Sequence, residues 1–273
     1  MKKLSISIVL YSSDFILLDR VIAALTKACS LASSHLQLNC CLDLVNNNPK
    51  EKNLKLLEDL VRSHASDQIS MRLLRSNKNG GYGAGNNLSI ARNANSDFHL
   101  VLNPDVILEE GAIVRAINFL EVSPDVGLVV PKVMGEDGKL HRLCKRNPTL
   151  LDMFLRAVRS NFLDSIFSKQ KYFYEMADQD YEKLIKPVPY PTGCFMFFRG
   201  STLRSIDGFD EGFFLHYEDA DIGRRISRIS QVAYVPQVVV VHVWARETHK
   251  NWKMRWITIM SGLRYWYKWG GIW

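Results

Sequence analysis

Phe98-His99-Leu100-Val101-Leu102 runs straight into Asn103-Pro104-Asp105. The first five residues read as a β-strand, the proline ends its ladder, and the aspartate is left at the strand's carboxyl end. In open α/β sheets, ligands sit at that edge. Outward from this point, alternating apolar segments recur up to residue 133 with amphipathic helix-length stretches between them. That rhythm predicts an α/β fold.

Upstream, Leu4 to Tyr11 reads as the first strand, and Asp14 as the cap of a helix whose apolar face is Leu18, Val21, Ile22 and Leu25. Leu36 to Val45 is the second strand. Asn48-Pro49 reads as cap and first turn of a helix carrying Leu54, Leu57, Leu60 and Val61. Ile69 to Leu74 is a third strand and Ala84 to Ala94 a helix. Downstream, Glu110 to Leu120 reads as helix, Val126 to Val133 as extended, Val188 to Arg199 as strand, Glu218 to Ile229 as helix and Val232 to Val241 as the last strand. Residues 135–187, basic and aromatic, yield only a helix near Leu150 to Phe167.

The composition, 47% hydrophobic and 23% charged over 273 residues, excludes a disordered or fibrous chain and allows one large or two small domains. No apolar run approaches the roughly 20 residues of a membrane span. Met1-Lys2-Lys3 resembles the start of a secretory leader, but the short, serine-interrupted Leu4 to Tyr11 suits a strand better. Five cysteines (Cys29, Cys40, Cys41, Cys144, Cys194) without paired spacing predict neither a disulfide framework nor a zinc site, and fit a reducing cytoplasm.

The net charge of +7 is unevenly placed. From His242 onward, Arg246, Lys250, Lys253, Arg255, Arg264 and Lys268 face a single acid, Glu247, and all six tryptophans lie there: Trp244, Trp252, Trp256, Trp266, Trp269 and Trp273. The tail from about Glu247 reads as helical, and its mixture of aromatic and basic residues suits an anionic, amphipathic surface.

Three constellations carry chemistry. Gly80-Gly81-Tyr82-Gly83-Ala84-Gly85-Asn86-Asn87 precedes a helix, as expected where backbone approaches a phosphate or sugar closely. It fits a dinucleotide fingerprint poorly, because it follows the third strand and lacks the ribose-binding acid about 20 residues on. Asp105 stands where a divalent cation would bridge it to a diphosphate. Glu218-Asp219-Ala220-Asp221 opens a helix, where acids are favoured by the helix dipole whatever their function. Asp219 falls three and seven residues before Ile222 and Ile226, which turns it toward the buried side as a candidate general base. His242, at the end of an apolar strand, is a candidate metal ligand, with His249 as competitor.

In order and spacing these segments resemble the family two glycosyltransferases with the glycosyltransferase-A fold, particularly bacterial rhamnosyltransferase-like members. The matching stretches are Ile6 to Tyr11, Asn46-Asn47-Asn48-Pro49, Asn79 to Asn87, Asn103-Pro104-Asp105, Thr192-Gly193-Cys194, Gly208-Phe209-Asp210-Glu211, Glu218 to Asp221 and His242. Only 135–187 lacks a counterpart. The resemblance implies a Rossmann-like mixed sheet flanked by helices over residues 1–245, with a nucleotide-binding half (1–133) and an acceptor and catalytic half (188–245). A basic, tryptophan-rich helical extension follows at 246–273.

It further implies an inverting, metal-dependent hexosyltransferase that moves a sugar from a nucleoside diphosphate donor to a saccharide acceptor. The acceptor is expected on a polyprenyl diphosphate, in surface polysaccharide assembly. Asp105 matches the last acid of the family's DxD motif, which holds Mg²⁺ or Mn²⁺, with Asn103 in place of its first aspartate. His242 matches a histidine that completes the metal site, and Asp219 the catalytic base, preceded by Glu218. The donor-binding set is then Tyr11, Asn46, Gly81, Tyr82, Gly83, Asn86, Asn103, Asp105 and Gly193. Asn46 replaces the aspartate that usually binds the pyrimidine base, and its carbonyl can still accept the N3 hydrogen of uracil or thymine. Similarity around Gly81-Tyr82-Gly83 and Lys268-Trp269-Gly270 points to a dTDP-sugar, dTDP-rhamnose in particular.

The expected location is the cytoplasmic face of the inner membrane, held peripherally by the tail, which is also a candidate homodimer contact. No nucleic-acid partner is expected. The competing readings are an oxidoreductase using the glycine loop and a non-catalytic membrane-surface or polyanion-binding protein.

Overall fold

The computed structural model describes residues 1–12, 14–158, 161–243 and 252–270. In chain order the first half runs β1 (Lys2–Leu10), α1 (Phe15–Leu36), β2 (Leu38–Asn46), α2 (Leu54–His64), β3 (Ile69–Arg75), α3 (Tyr82–Arg92), β4 (Phe98–Leu102), β5 (Val106–Leu108), α4 (Ala112–Val122) and β6 (Val126–Gly135). The second runs β7 (Leu140–His141), α5 (Leu150–Val158), α6 (Asn161–Ile166), α7 (Ser168–Tyr174), β8 (Phe195–Arg199), α8 (Gly200–Ser205), α9 (Glu218–Ile226), β9 (Gln231–His242) and α10 (Trp252–Trp269).

The strands form one mixed sheet in the order β3-β2-β1-β4-β8-β6-β9-β5, with β7 on β6. Strands β1 to β4 are parallel, so their carboxyl ends share one edge, and antiparallel β8 brings its amino end to the same edge. Helices α1, α2 and α4 cover one face with the largest apolar cluster. Leu203 of α8 and Ile222 and Ile226 of α9 pack in a second cluster on the other. Asp14 caps α1 as expected, its carboxylate accepting from Ile16 and Leu17 N–H, and Leu18, Val21, Ile22 and Leu25 are all buried.

Three expectations are corrected. Asn48 does not cap α2: its side chain accepts from Lys50 N–H in a local turn, and the helix starts only after Asn53. Residues 188–194 are not a continuous strand, because Pro189 and Pro191 have no N–H to donate: Tyr190 makes an isolated bridge to Lys145, and the ladder with β4 starts at Phe195. The helix expected near 150–167 is described as α5 and α6, with 159 and 160 outside the described residues. Helix α9 stops at Ile226, where Ser230 N–H turns back onto its carbonyl.

A buried polar seam ties α3 to the sheet. His99 lies between Ser5 Oγ, 2.7 Å from Nδ1, and Ser7 Oγ, 3.2 Å from Nε2; Ser7 Oγ donates to Asn86 Oδ1 at 2.6 Å. Burial holds the His99 imidazole down to about 3, so it is neutral near pH 7. The unfolded chain, with an ordinary histidine near 6.5, binds this proton more readily. The resulting stability is full above pH 6.5 and is lost as pH falls toward 3, by at most about 1.4 kcal/mol per pH unit. Urea titrations between pH 7 and 4 should show this slope, and His99→Gln should remove it.

Candidate active site

At the carboxyl edge of the sheet a cavity of about 290 Å³ is lined by Tyr82, Asn103, Gly193, Glu218, Asp219 and His242, among others. The start of α3, the end of β4, the residues before β8, the start of α9 and the end of β9 converge there. Asn103 is anchored by its N–H to Cys194 O at 2.9 Å.

Asp105 and His242 meet because β5 pairs with β9 with Val106 opposite His242. Their carboxylate and imidazole stand 3.2 Å apart. Burial opposes charge on His242, but Asp105 and Cys194 outweigh it and raise the imidazole to about 9. Asp105 Oδ1 is buried and accepts no hydrogen bond of good geometry. A buried carboxylate oxygen facing an imidazole nitrogen is a donor pair that Mg²⁺ or Mn²⁺ accepts, with other positions left for phosphate and water. Among the described residues no cluster of three or more such side chains exists. Asp105 and His242 together offer an ion two ligands. His249 lies outside the described residues.

The two acids of the proposed catalytic pair differ in setting. Glu218 is 6% exposed, whereas Asp219 is half-buried, reaches the cavity, and has its Oδ1 3.0 Å from Ala220 N–H. Gly193 is packed on it: a Cβ there would stand 3.4 Å from Asp219 Cβ and Oδ2. Asp221 is fully buried and holds Arg225 Nε at 2.8 Å and Lys268 Nζ at 2.7 Å. Ahead of this helix, His216 (φ +69°) and Tyr217 (φ +66°) are consecutive left-handed residues. Each costs about 1–3 kcal/mol and persists only where neighbours impose it.

The glycine loop is packed closely against the protein's own residues. At Gly81, with φ +92°, a Cβ would overlap the carbonyl of Phe214, to which Tyr82 N–H donates at 2.9 Å. At Gly83 it would stand 2.9 Å from Phe209 Cβ. The close approach expected toward a phosphate is thus made toward residues 209–214. Gly81→Ala should destabilise the fold by about 1–3 kcal/mol from backbone strain alone, read as a lower urea midpoint.

The other expected donor contacts divide. Tyr82 hydroxyl lies 2.8 Å from Asn103 Oδ1 and 2.9 Å from Gly193 O, so these three form one wall. Asn46 is 4% exposed, and its Oδ1 accepts from Asn48 N–H at 3.0 Å. Asn86 is fully buried, its oxygen taken by Ser7 and its nitrogen by Tyr82 O, so it holds α3 and has no surface for a donor. Tyr11, at the end of β1, is 58% exposed. Sequence reasoning missed Leu143, Lys145, Tyr190, Leu215 and His216, which also line the cavity. Two of them sit in the unread segment 135–187, and nothing in a histidine's identity announces a left-handed backbone.

Comparison with known proteins agrees with this architecture. The glycosyltransferase-like family 2 matches residues 3–258, and the chain belongs to that family. Among its relatives, the N-acetylglucosaminyl-diphospho-decaprenol L-rhamnosyltransferase of Mycobacterium tuberculosis is 26% identical over 193 residues, covering 67% of this chain and 62% of that protein. Rhamnosyltransferase WbbL of Escherichia coli is 25% identical over 169 residues, covering 59% of this chain and 60% of that protein. The chain thus matches about three fifths of each relative's length. In fold it is similar to GalNAc-T7 with UDP, GalNAc and Mn²⁺ (TM-score 0.64, 13% identity, covering 91% of this chain and 44% of that one). It is also similar to S. aureus TarS 1-349 in complex with UDP-GlcNAc (TM-score 0.57, 14% identity, covering 91% and 60%). The fold is of the glycosyltransferase-A type.

Proposed function

We propose that this chain transfers a sugar, with inversion, from a nucleoside diphosphate donor to a saccharide hydroxyl carried on a polyprenyl diphosphate, in surface polysaccharide assembly. The observation that carries the reading is that one cavity presents both the half-buried Asp219 and His242, with Asp105 3.2 Å from His242. A sugar hydroxyl is too weak an acid to attack unaided. Asp219 accepts its proton as the hydroxyl oxygen bonds to the anomeric carbon and the bond to the diphosphate breaks; a single displacement inverts that centre. Glu218 lies at the base's helix start, and the Tyr82–Asn103–Gly193 wall bounds the donor. Asp105 and His242 would hold a divalent ion, which when bound supplies Lewis-acid stabilisation of the leaving diphosphate.

Support for a rhamnosyl donor comes from the two rhamnosyltransferase relatives, and for a lipid-linked acceptor from the mycobacterial one. The deciding experiment is a donor screen with dTDP-, UDP-, GDP- and CMP-sugars plus Mn²⁺, following nucleotide release and thermal shift. Turnover with dTDP-rhamnose is expected. No shift and no release with any donor would overturn the reading.

Peripheral attachment to the cytoplasmic membrane face belongs to the same proposal. No described helix is long and apolar enough to cross a membrane. Helix α10 contains four basic residues and no acid, and exposes Trp252, Trp256, Leu263 and Tyr267. Adjoining α5 and α6 expose Phe154, Val158, Phe162 and Ile166 at four-residue intervals. Two of the tail's cations are already spent: Arg264 pairs with Asp210, and Lys268 with Asp210 and Asp221. Lys253 and Arg255 are exposed on the helix surface; Trp244, Arg246, Glu247, Lys250 and Trp273 lie outside the described residues. Each basic residue near an anionic surface contributes about 1 kcal/mol, less in salt. Sedimentation with anionic liposomes should therefore fall at high salt and in Lys253→Gln/Arg255→Gln. Self-association without lipid binding would assign this face to a homodimer instead.

A further inference from the structure

The candidate base sits in a segment, 210–221, that α10 grips at three places. At its start, Asp210 receives Arg264 Nη2 at 2.8 Å and Lys268 Nζ at 2.7 Å. In its middle, Ser261 Oγ donates to Leu215 O at 2.9 Å, and the Tyr265 ring lies 5.5 Å from that of Tyr217. This is the turn made by the left-handed His216 and Tyr217. Gly262 lets the helix come this close: a Cβ there would stand 3.0 Å from Met153 Cε and 3.5 Å from the Tyr217 ring. At its end, Trp269 Nε1 donates to Asp221 Oδ1 at 2.9 Å. The Arg224 and Arg228 guanidiniums lie 4.6 Å over the Trp269 ring.

These contacts are not spread over the helix's neighbours at random. They fall on an aspartate nine residues before Asp219, on the turn just before it, and on the aspartate two residues after it. Ser261 and Tyr265 are 5% and 1% exposed, and Ser261, Gly262 and Tyr265 are the buried residues of α10. A left-handed turn of two side-chain-bearing residues holds only where its surroundings over-determine it. Here α10 supplies part of those surroundings.

We propose that Ser261, Tyr265 and Trp269 are positioning residues for Asp219, so that α10 is part of the catalytic centre and not an appended tail. The inference rests on Asp219 being the base. A carboxylate displaced by about 1 Å loses about 10²-fold in rate without any change in the ground-state contacts of the donor.

The test uses the full chain with Tyr265→Ala, Tyr265→Phe, Trp269→Phe and Ser261→Ala, comparing kcat, KM and donor Kd, with Tm as the fold control. Tyr265→Ala and Trp269→Phe should lower kcat by about 10- to 100-fold while donor Kd stays near wild type. Tyr265→Phe should restore wild-type kcat, because its ring makes the contact; the hydroxyl's partners, Arg224 and Asn147, are 3.4 Å away. Wild-type kcat in folded Trp269→Phe and Tyr265→Ala, or a loss confined to donor affinity, would overturn the proposal. Should Tyr265→Ala fail to fold, Trp269→Phe and Ser261→Ala decide it alone. A wild-type chain inactive with every nucleotide sugar would overturn the functional reading and this inference with it. An active wild type with unaffected variants overturns the inference alone.

Discussion

Asp219→Asn is expected to lower transfer by about two to four orders of magnitude, the usual contribution of a general base, with donor affinity near wild type. The amide keeps the shape and can still accept from Ala220 N–H, but it cannot take the acceptor's proton. Helix α9 loses one carboxylate at its amino end, a change of about 0.3–1 kcal/mol, so Tm should barely move. Asp221→Asn is the informative contrast. That carboxylate is fully buried and answers Arg225, Lys268 and Trp269, so neutralising it takes the counter-charge from Arg225 and leaves Lys268 only Asp210. Its variant should lose stability first and activity as a consequence. The two aspartates are two residues apart, and a steady-state assay beside a thermal melt separates their roles. Near wild-type turnover in folded Asp219→Asn would sink its assignment as base.

This contrast also marks what was legible in the sequence. The spacing to Ile222 and Ile226 turned Asp219 toward the core side, but helical periodicity cannot tell a side chain that reaches a cavity from one sealed by a distant helix. Asp221 is sealed by α10, about 50 residues later in the chain. Local signals read well where local physics decides. Asp14 caps α1, and the strands from β1 to β4 fall within a few residues of their expected positions. They read badly where a tertiary contact sets the outcome. The glycine loop looked like a ligand cradle because glycine answers any close approach, and here the approaching group is Phe214's own backbone. Asn86 looked like a donor contact for the same positional reason, yet the Ser5–His99–Ser7 seam claims it. The tail's charge pattern suggested one anionic partner, and two of its cations answer acids of the protein instead.

Asp105→Ala should abolish Mn²⁺-dependent donor binding, and His242→Ala should weaken it less. The asymmetry follows from the chemistry of the pair. Mg²⁺ and Mn²⁺ are hard ions for which a carboxylate oxygen is the stronger ligand and an imidazole the weaker. Asp105 also contributes the negative charge that draws the ion in; its buried Oδ1 faces His242 Nε2 at 3.2 Å. Removing it deletes both ligand and charge, and leaves His242 buried beside the gap. Removing His242 deletes a single ligand that water can replace, while Asp105 persists. Asn103 cannot compensate for Asp105, since it is uncharged and lies 2.8 Å from the Tyr82 hydroxyl. Calorimetric titration of Mn²⁺ with a nucleoside diphosphate sugar present separates the outcomes. The wild type should bind donor and metal together, Asp105→Ala should bind donor weakly and independently of Mn²⁺, and His242→Ala should keep a shallower metal dependence. Metal dependence unchanged in both variants would place the ion elsewhere, and its loss only in His249→Ala would move the second ligand to that residue.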